Sequence, residues 1–366
     1  MSGAMPGTLH GLTIVEMAGL GAAPFAAMML ADHGADVIRV EREGLMGIPN
    51  DPLLRSRRSI SLNLKVNGAR DVVRKLAARA DGLIEGYRPG VMEWLGLGPD
   101  DLLGNNPKLV YGRVTGWGQD GPLAASGGHD LGYLAISGLL YGIGPKERPV
   151  VPINYLADFA GGGMMLAFGM VSALLDVQRG GKGQVIDCAM SDGAALVGAL
   201  TYGMRAAGMW TDERESNLLD GGSPTYGVYK CSDGKFLALA AIEPQFRHAL
   251  LEGLGLAEAA GNDEIASIVA TRSRDEWVSH FEGIDACIAP VLTLDEAPGY
   301  AHNQARGTFI DLDGVVQPGA APRYSATPGP KSRPPRPSGA DGEAILAELR
   351  YSPSEIDRLR GEGALL

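Results

Sequence analysis

Over the first 115 residues, short apolar runs alternate with helix-like runs, and this restricts the fold more than any other property of the chain. Leu12–Met17 reads as a strand and Gly19-Leu20-Gly21 as a turn. Pro24 stands near a helix start, where its missing N–H costs nothing. Phe25–Asp32 is helical in character, with Gly34 suited to the helix end. Asp36–Val40, Ile60–Leu64, Gly82–Glu85 and Leu109–Thr115 read as further strands, with a helix over Ala69–Ala80. Strand–helix alternation predicts a parallel α/β sheet, Rossmann-like in its first half.

Beyond residue 115 the pattern changes. A glycine-rich loop, Thr115–Asp130, leads to a helix expected from about Phe159 to Gln178 and a second helical stretch over Ser191–Met209. Tyr226–Cys231, the turn Ser232-Asp233-Gly234 and Lys235–Ala241 form a β-hairpin signature, which opens a smaller α+β domain. Helices near Gln245–Leu254 and Arg274–Phe281 would complete it. From about Gly314 to Gly342 the chain is rich in Pro, Gly and Ser, a linker or surface strap, and Ala344–Arg360 returns to helix. The expected organisation is a large domain over 1–187 completed by about 316–366, a helical linker over 188–224, and a small domain over 225–315.

Glycine supplies 53 of 366 residues, about twice ordinary usage. There is no Gly-X-Y period, so a collagen-like chain is excluded. The excess either loosens the backbone or lets it approach something closely. Lys and Arg number 32 against 43 Asp and Glu, a net charge of −11, which opposes non-specific binding to nucleic acid or anionic membranes. Cys188, Cys231 and Cys287 are widely spaced and form no CxxC pair, so neither a metal site nor a disulfide framework is expected. Free thiols suit a reducing, cytoplasmic setting. The N-terminal segment lacks the pattern of a secretory signal, the C-terminal Gly-Glu-Gly-Ala-Leu-Leu is not a peroxisomal address, and no apolar run reaches about 18 residues, so no membrane span is expected.

The turn at Gly19-Leu20-Gly21 invites a dinucleotide reading, with Glu41 after strand two as the ribose acid, but Pro24 stands where a third Gly or Ala belongs. A plain tight turn, or a non-redox nucleotide site at the strand ends, fits as well. Three other residues could carry chemistry. His129, in Gly127-Gly128-His129-Asp130, is either a solvated loop histidine or an acid–base group. Asp158, just before Phe159 and the run Gly161–Gly163, is either a helix cap or a base or nucleophile beside the positive end of a helix dipole. Three glycines so near a helix start look like clearance for a ligand, since each costs up to about 1 kcal/mol against alanine. Glu243, at the end of an apolar run, is a turn residue or a partner that orients a histidine. Arg39, Arg42, Arg55, Arg57, Arg58, Lys65 and Arg88 form a local basic enrichment, either a solvated face or a phosphate-binding set.

Several segments, taken together, resemble the type III CoA-transferase family and, within it, the α-methylacyl-CoA racemase branch. They are Ala35–Arg42, Arg57–Lys65, Ile84–Val91, Leu95-Gly96-Leu97-Gly98, Thr115–Pro122, Gly128-His129-Asp130 and Gly181–Asp187, collinear from about residue 9 onward. The resemblance implies a Rossmann-like large domain, a smaller domain and an interlocked homodimer. It implies an acyl-CoA thioester substrate, with CoA as part of the substrate and no further cofactor or metal. Asp158 matches the aspartate common to the family. It is an acyl-anhydride nucleophile in the transferases, which remain the alternative, and a base in the racemases. His129 and Glu243 look like the racemase branch. His129 would then serve the S substrate and Asp158 the R substrate, with Glu243 of the other chain supporting His129 and the Asp158 N–H meeting the enolate oxygen. A catalytically silent acyl-CoA-binding paralogue is a further rival. Asp130, Asn154 and Tyr226 match supporting positions. Arg42, Leu62, Lys65, Gly86, Tyr87 and Arg88 match CoA-binding positions. Two departures stand out: Trp94 occupies a place where the family often has arginine, and the stretch between Leu256 and Arg272 is shorter than in relatives.

Overall fold

The computed structural model describes residues 7–42 and 48–366. Residues 1–6, on which part of the expectation of no secretory signal rests, lie outside them.

The expected alternation forms one six-stranded parallel sheet. Its N-terminal part runs β1 (Thr13–Met17), α1 (Ala22–Asp32), β2 (Asp36–Glu41), β3 (Arg58–Ser61), α2 (Asn67–Ala77) and β4 (Gly82–Glu85). It continues through α3 (Val91–Trp94), α4 (Pro99–Asn105), β5 (Val110–Thr115) and α5 (Asp130–Ile136). A π-helix over Tyr155–Met164 then passes directly into α6 (Met165–Gln178), β6 (Val185–Ala189) and α7 (Met190–Val197). The strand order is β3-β2-β1-β4-β5-β6, with every pairing parallel. Order therefore reverses between β1 and β4, and ligands in such sheets bind at the strand C-termini beside that point.

Period-two alternation sends neighbouring residues to opposite faces. Val15, Ile38, Leu83 and Tyr111 enter a core with α2 and the C-terminal helices. Ile14, Val37, Ile84 and Val110 enter a second core beneath α1 and α6. Both faces are covered, which explains why these strands read as nearly continuous apolar runs.

The chain divides into two compact units. The first comprises 1–137, 153–197 and 309–366, and the second 138–152 and 198–308. The boundaries differ from those expected at three places, one of them 309–315, expected in the small domain and clustered with the first unit. Residues 138–152, expected in the large domain, cluster with the second unit, and the expected linker 188–224 is shared between the two. The division at Gly198 also splits the single helix expected over Ser191–Met209 into α7 and α8 (Ala199–Ala206). The second unit carries β7 (Tyr226–Lys230), β8 (Phe236–Ala240), α9 (Pro244–Leu254), α10 (Asn262–Val269), α11 (Arg274–His280), β9 (Ile288–Val291) and α12 (Ala301–Arg306). Its strands form an antiparallel sheet, β7-β8-β9, and the hairpin turn lies where Ser232-Asp233-Gly234 predicts it. Leu237, Leu250, Leu251, Ile265 and Trp277 fill its core, so the 256–272 stretch contributes a packed helix, α10.

The chain returns through the hairpin β10 (Phe309–Leu312) and β11 (Val315–Pro318) to α13 (Gly342–Glu348) and α14 (Pro353–Gly361). The Pro-rich stretch between them straps the first unit at its edge strand. Ser56 and Arg333 exchange hydrogen bonds through the Ser56 N–H and the Arg333 N–H, the Gly339 N–H donates to Ser59 Oγ, and the Asp341 carboxylate accepts the Ser59 N–H.

Tyr155–Gln178 forms 24 continuous helical residues, long and apolar enough to cross a membrane, although apolar runs in the sequence do not suggest it. One side of it is a core helix: Leu166, Ala167, Met170, Ala173 and Leu174 pack under the sheet.

Candidate active site

The local arginine enrichment divides on burial. Arg39 and Arg57 flank Glu16, which is fully buried on β1, and form ion pairs with its two carboxylate oxygens. Arg55 makes a buried fork to Asp32, and Arg58 pairs with Asp36 and Glu348. These four guanidiniums tie β1, β2, α1 and the segment before β3 together, and they are not a phosphate surface. Arg42 and Lys65 remain exposed. They line a groove of about 640 Å³ with Val40, Leu62, Leu64, Tyr87, Val91, Leu95 and Leu366. The groove lies at the C-terminal ends of β1–β4, beside the order reversal. Two cations at an apolar trough suit a ligand that is phosphorylated at one end and oily along its length.

Of the six expected CoA positions, Arg42, Leu62, Lys65 and Tyr87 line this groove, and Gly86 and Arg88 do not. A Cβ at Gly86 would make only ordinary contacts with Ala23 and the Val114 carbonyl, so packing does not require glycine there. The Arg88 guanidinium lies beside Gly127, toward the His129 loop. Trp94 projects from α3 beside the groove wall and is 75% exposed, without lining the groove. A second hollow of about 630 Å³ is lined by Glu93, Asp100, Asp101, Asp120 and Asp187, and its charge disfavours a phosphorylated ligand.

His129 and Asp158 lie on neighbouring elements of the first unit. His129 is exposed as the residue preceding α5, with its ring free of any capping bond. Asp158 sits in the first turn of the π-helix, half-buried, where Asn154 Nδ2 donates to Oδ2 at 3.2 Å. Gly21, in the turn after β1, approaches the same oxygen, and its φ of +66° suits glycine. Burial pushes the Asp158 carboxyl above its ordinary pKa. The Asn154 amide opposes this, the Asp130 carboxylate adds to it, and His129 opposes it. A carboxyl held partly toward its protonated form beside an imidazole suits proton exchange with a weak carbon acid.

Three expectations at this site change. Asp158 does not cap its own helix. Asp130, buried at the start of α5, accepts the N–H groups of both Ala157 and Asp158, each at 2.8 Å. The Asp158 N–H is therefore committed to a carboxylate, and the enolate oxygen does not find it free. The glycines after Asp158 also serve packing and not ligand clearance. A Cβ on Gly161 would reach 2.6 Å from the Ala194 N, and one on Gly163 would reach 2.7 Å from the Phe25 ring. They let the π-helix lie directly on α1 and α7.

Glu243 and Tyr226 belong to the second unit. Glu243 is exposed at the start of α9, with its side chain making no capping bond, and Tyr226 opens β7. Two residues near the first unit's pair are not singled out by sequence. Tyr133 is buried, and burial together with the Asp158 and Asp130 carboxylates raises its hydroxyl pKa. Trp117 meets Tyr133 edge-on, with ring centroids 4.7 Å apart. The signal for them is the doublet Gly127-Gly128 ahead of His129, where the backbone crosses rings.

Against this geometry, residues 9–342 match the model of CoA-transferase family III. α-Methylacyl-CoA racemase of Mus musculus is 43% identical over 97% of this chain and 96% of its own length. The Homo sapiens protein of the same name is 42% identical over the same shares. Among solved structures, a CaiB/BaiF family protein from Brucella suis superposes with a TM-score of 0.80 at 27% identity, covering 94% of this chain and all of that one.

Proposed function

The chain belongs to CoA-transferase family III, and from that premise we propose that it is an isomerase, interconverting (R)- and (S)-2-methylacyl-CoA thioesters. The observation that carries this reading is that His129 and Asp158 lie on neighbouring elements of the unit that also carries the cationic apolar groove. Inversion at the carbon next to a thioester needs a base on one face and an acid on the other. In one direction the Asp158 carboxylate takes the α-proton of the R ester. The C–H electron pair moves into the enolate, and protonated His129 returns a proton to the opposite face. In the other direction the roles exchange. Arg42 and Lys65 hold the phosphates, and Leu62, Tyr87 and the walls of the groove carry the rest of the CoA moiety. The reaction moves only protons, and CoA enters as part of the substrate.

A second copy of the chain completes the site in this reading. Glu243 of that copy hydrogen-bonds His129 and supports its charged form. Support comes from α6, which is apolar on both sides: Phe168, Val171 and Leu175, continuing from Met164 at the end of the π-helix, recur at helical spacing and are exposed in the single chain. An apolar stripe of that kind marks an interaction surface. The three free cysteines fit a reducing cytosol.

The deciding experiment follows the α-proton of a 2-methylacyl-CoA in deuterated water. Deuterium entry with loss of optical rotation is expected. No exchange and no loss of rotation would defeat the reading. The transferase alternative rests on the family-level relation, and hydroxylamine trapping of an acyl group on Asp158 in the presence of an acceptor acid would favour it.

A further inference from the structure

The loop that carries His129 lies on an aromatic floor. A Cβ on Gly128 would stand 2.6 Å from Tyr133 Cε1 and 2.8 Å from Trp117 Cζ2, closer than real Cβ atoms come. The backbone at Gly128 is thus pressed onto two rings that are themselves locked at 4.7 Å and 85°. Gly116, directly before Trp117, is closed in the same way, because any Cβ there would overlap the Tyr133 ring. Across the loop, the Arg88 guanidinium lies beside Gly127. The Trp117 Nε1 is buried without an acceptor among the described residues. Ring packing therefore holds the indole in place, with no hydrogen bond to the pyrrole nitrogen, and an indole usually finds a partner when buried.

We infer that Trp117 is a positioning residue for one half of the reaction: packed between the Gly128 backbone and the Tyr133 ring, it fixes the height and direction of His129. Asp158 is held by Asn154 through its carboxylate and by Asp130, the residue after His129, through its N–H. Trp117 meets the loop at Gly128, on the His129 side, so a defect confined to this ring should impair the His129 face of the substrate before the Asp158 face. Misplacing a reacting group by about 1 Å can cost around a hundredfold. The inference rests on the two-base reading, with His129 serving the S ester and Asp158 the R ester.

The test separates the two faces. Trp117→Phe keeps a ring against Tyr133 but withdraws the part beneath Gly128, and Gly128→Ala lifts the loop off the floor. For each variant, solvent deuterium entering the R and the S ester would be measured separately under single-turnover conditions. A thermal melt would confirm folding, and Trp117→Phe decides alone should Gly128→Ala not fold. Exchange into the S ester should fall about tenfold or more, while exchange into the R ester, with retention of configuration, should stay within about threefold. Equal loss from both esters, loss from the R ester alone, or no change in either would overturn the inference while leaving the two-base reading intact. Absence of exchange in the wild-type enzyme would instead defeat the two-base reading itself.

Discussion

Asp158 is set between opposing influences, and each can be removed singly. The Asn154 donor favours its charged form, and the Asp130 carboxylate disfavours it. Asn154→Ala should therefore raise the Asp158 pKa further, and Asp130→Asn should lower it. Asp158 acts on the R ester as a carboxylate, which is lost as pH falls through its pKa. The acid limb of kcat/KM for that ester should move to higher pH in Asn154→Ala and to lower pH in Asp130→Asn. Steady-state pH profiles check both, and shifts in the same direction would contradict the arrangement. At this scale the sequence was informative about residue type and weak about burial. His129 and Asp158 could be picked out as candidates beside plain readings, a loop histidine and a helix cap, and only the family resemblance gave them roles. The arginines could not be sorted, since a guanidinium paired with a buried Glu16 and one reaching into a groove look alike in a string. Nor could the commitment of the Asp158 N–H, because Asp130 is distant in sequence.

At the level of elements, strand and helix positions in the first half were legible from periodicity. Gly82–Glu85 coincides in pattern and structure, because a fully buried parallel strand is a short apolar run with sharp ends. The π-helix was not legible. Its glycines suggest room for a ligand, and the structure uses them for close helix contact instead. That contact makes a prediction with opposite signs at two glycines. A Cβ on Gly193 in α7 would overlap the Gly161 carbonyl oxygen, a backbone atom that cannot swing away. Gly193→Ala should destabilise the fold by at least about 1–3 kcal/mol, the usual cost of overpacking. Gly104 in α4 has nothing within 4 Å of the same position and an ordinary φ. Gly104→Ala should stabilise by about 0.5–1 kcal/mol through the lower entropy of the unfolded chain. Urea titrations of the two variants measure both effects, and a neutral Gly193→Ala would show that the π-helix does not rest on α7 in solution.

For the whole molecule, the question is which chain supplies each part of the site. Sequence pattern separates a sheet domain from a hairpin domain, and the structure places His129 and Asp158 in one unit and Glu243 in the other. The proposed homodimer joins His129 and Asp158 of one copy to Glu243 of the next. Two-fold symmetry then makes two identical composite sites. Asp158→Asn and Glu243→Gln chains would each form an inactive or crippled homodimer. In a mixed dimer with composite sites, one site carries both substitutions and the other carries neither. Random co-assembly gives half mixed dimers with one intact site in two, so activity should return to about a quarter of wild type. If each chain built its own site, every site in the mixture would keep one substitution and no activity would return. Chains interlocked as the family resemblance implies would not exchange once folded, so the two variants are to be co-expressed or refolded together. Mixing them after folding should give no recovery and serves as the internal control. Phe168→Glu, placed on the exposed α6 stripe, adds an independent arm. A buried carboxylate at an apolar interface should split the dimer in sedimentation. Activity should fall with it, because a lone chain would hold His129 and Asp158 without the partner's Glu243.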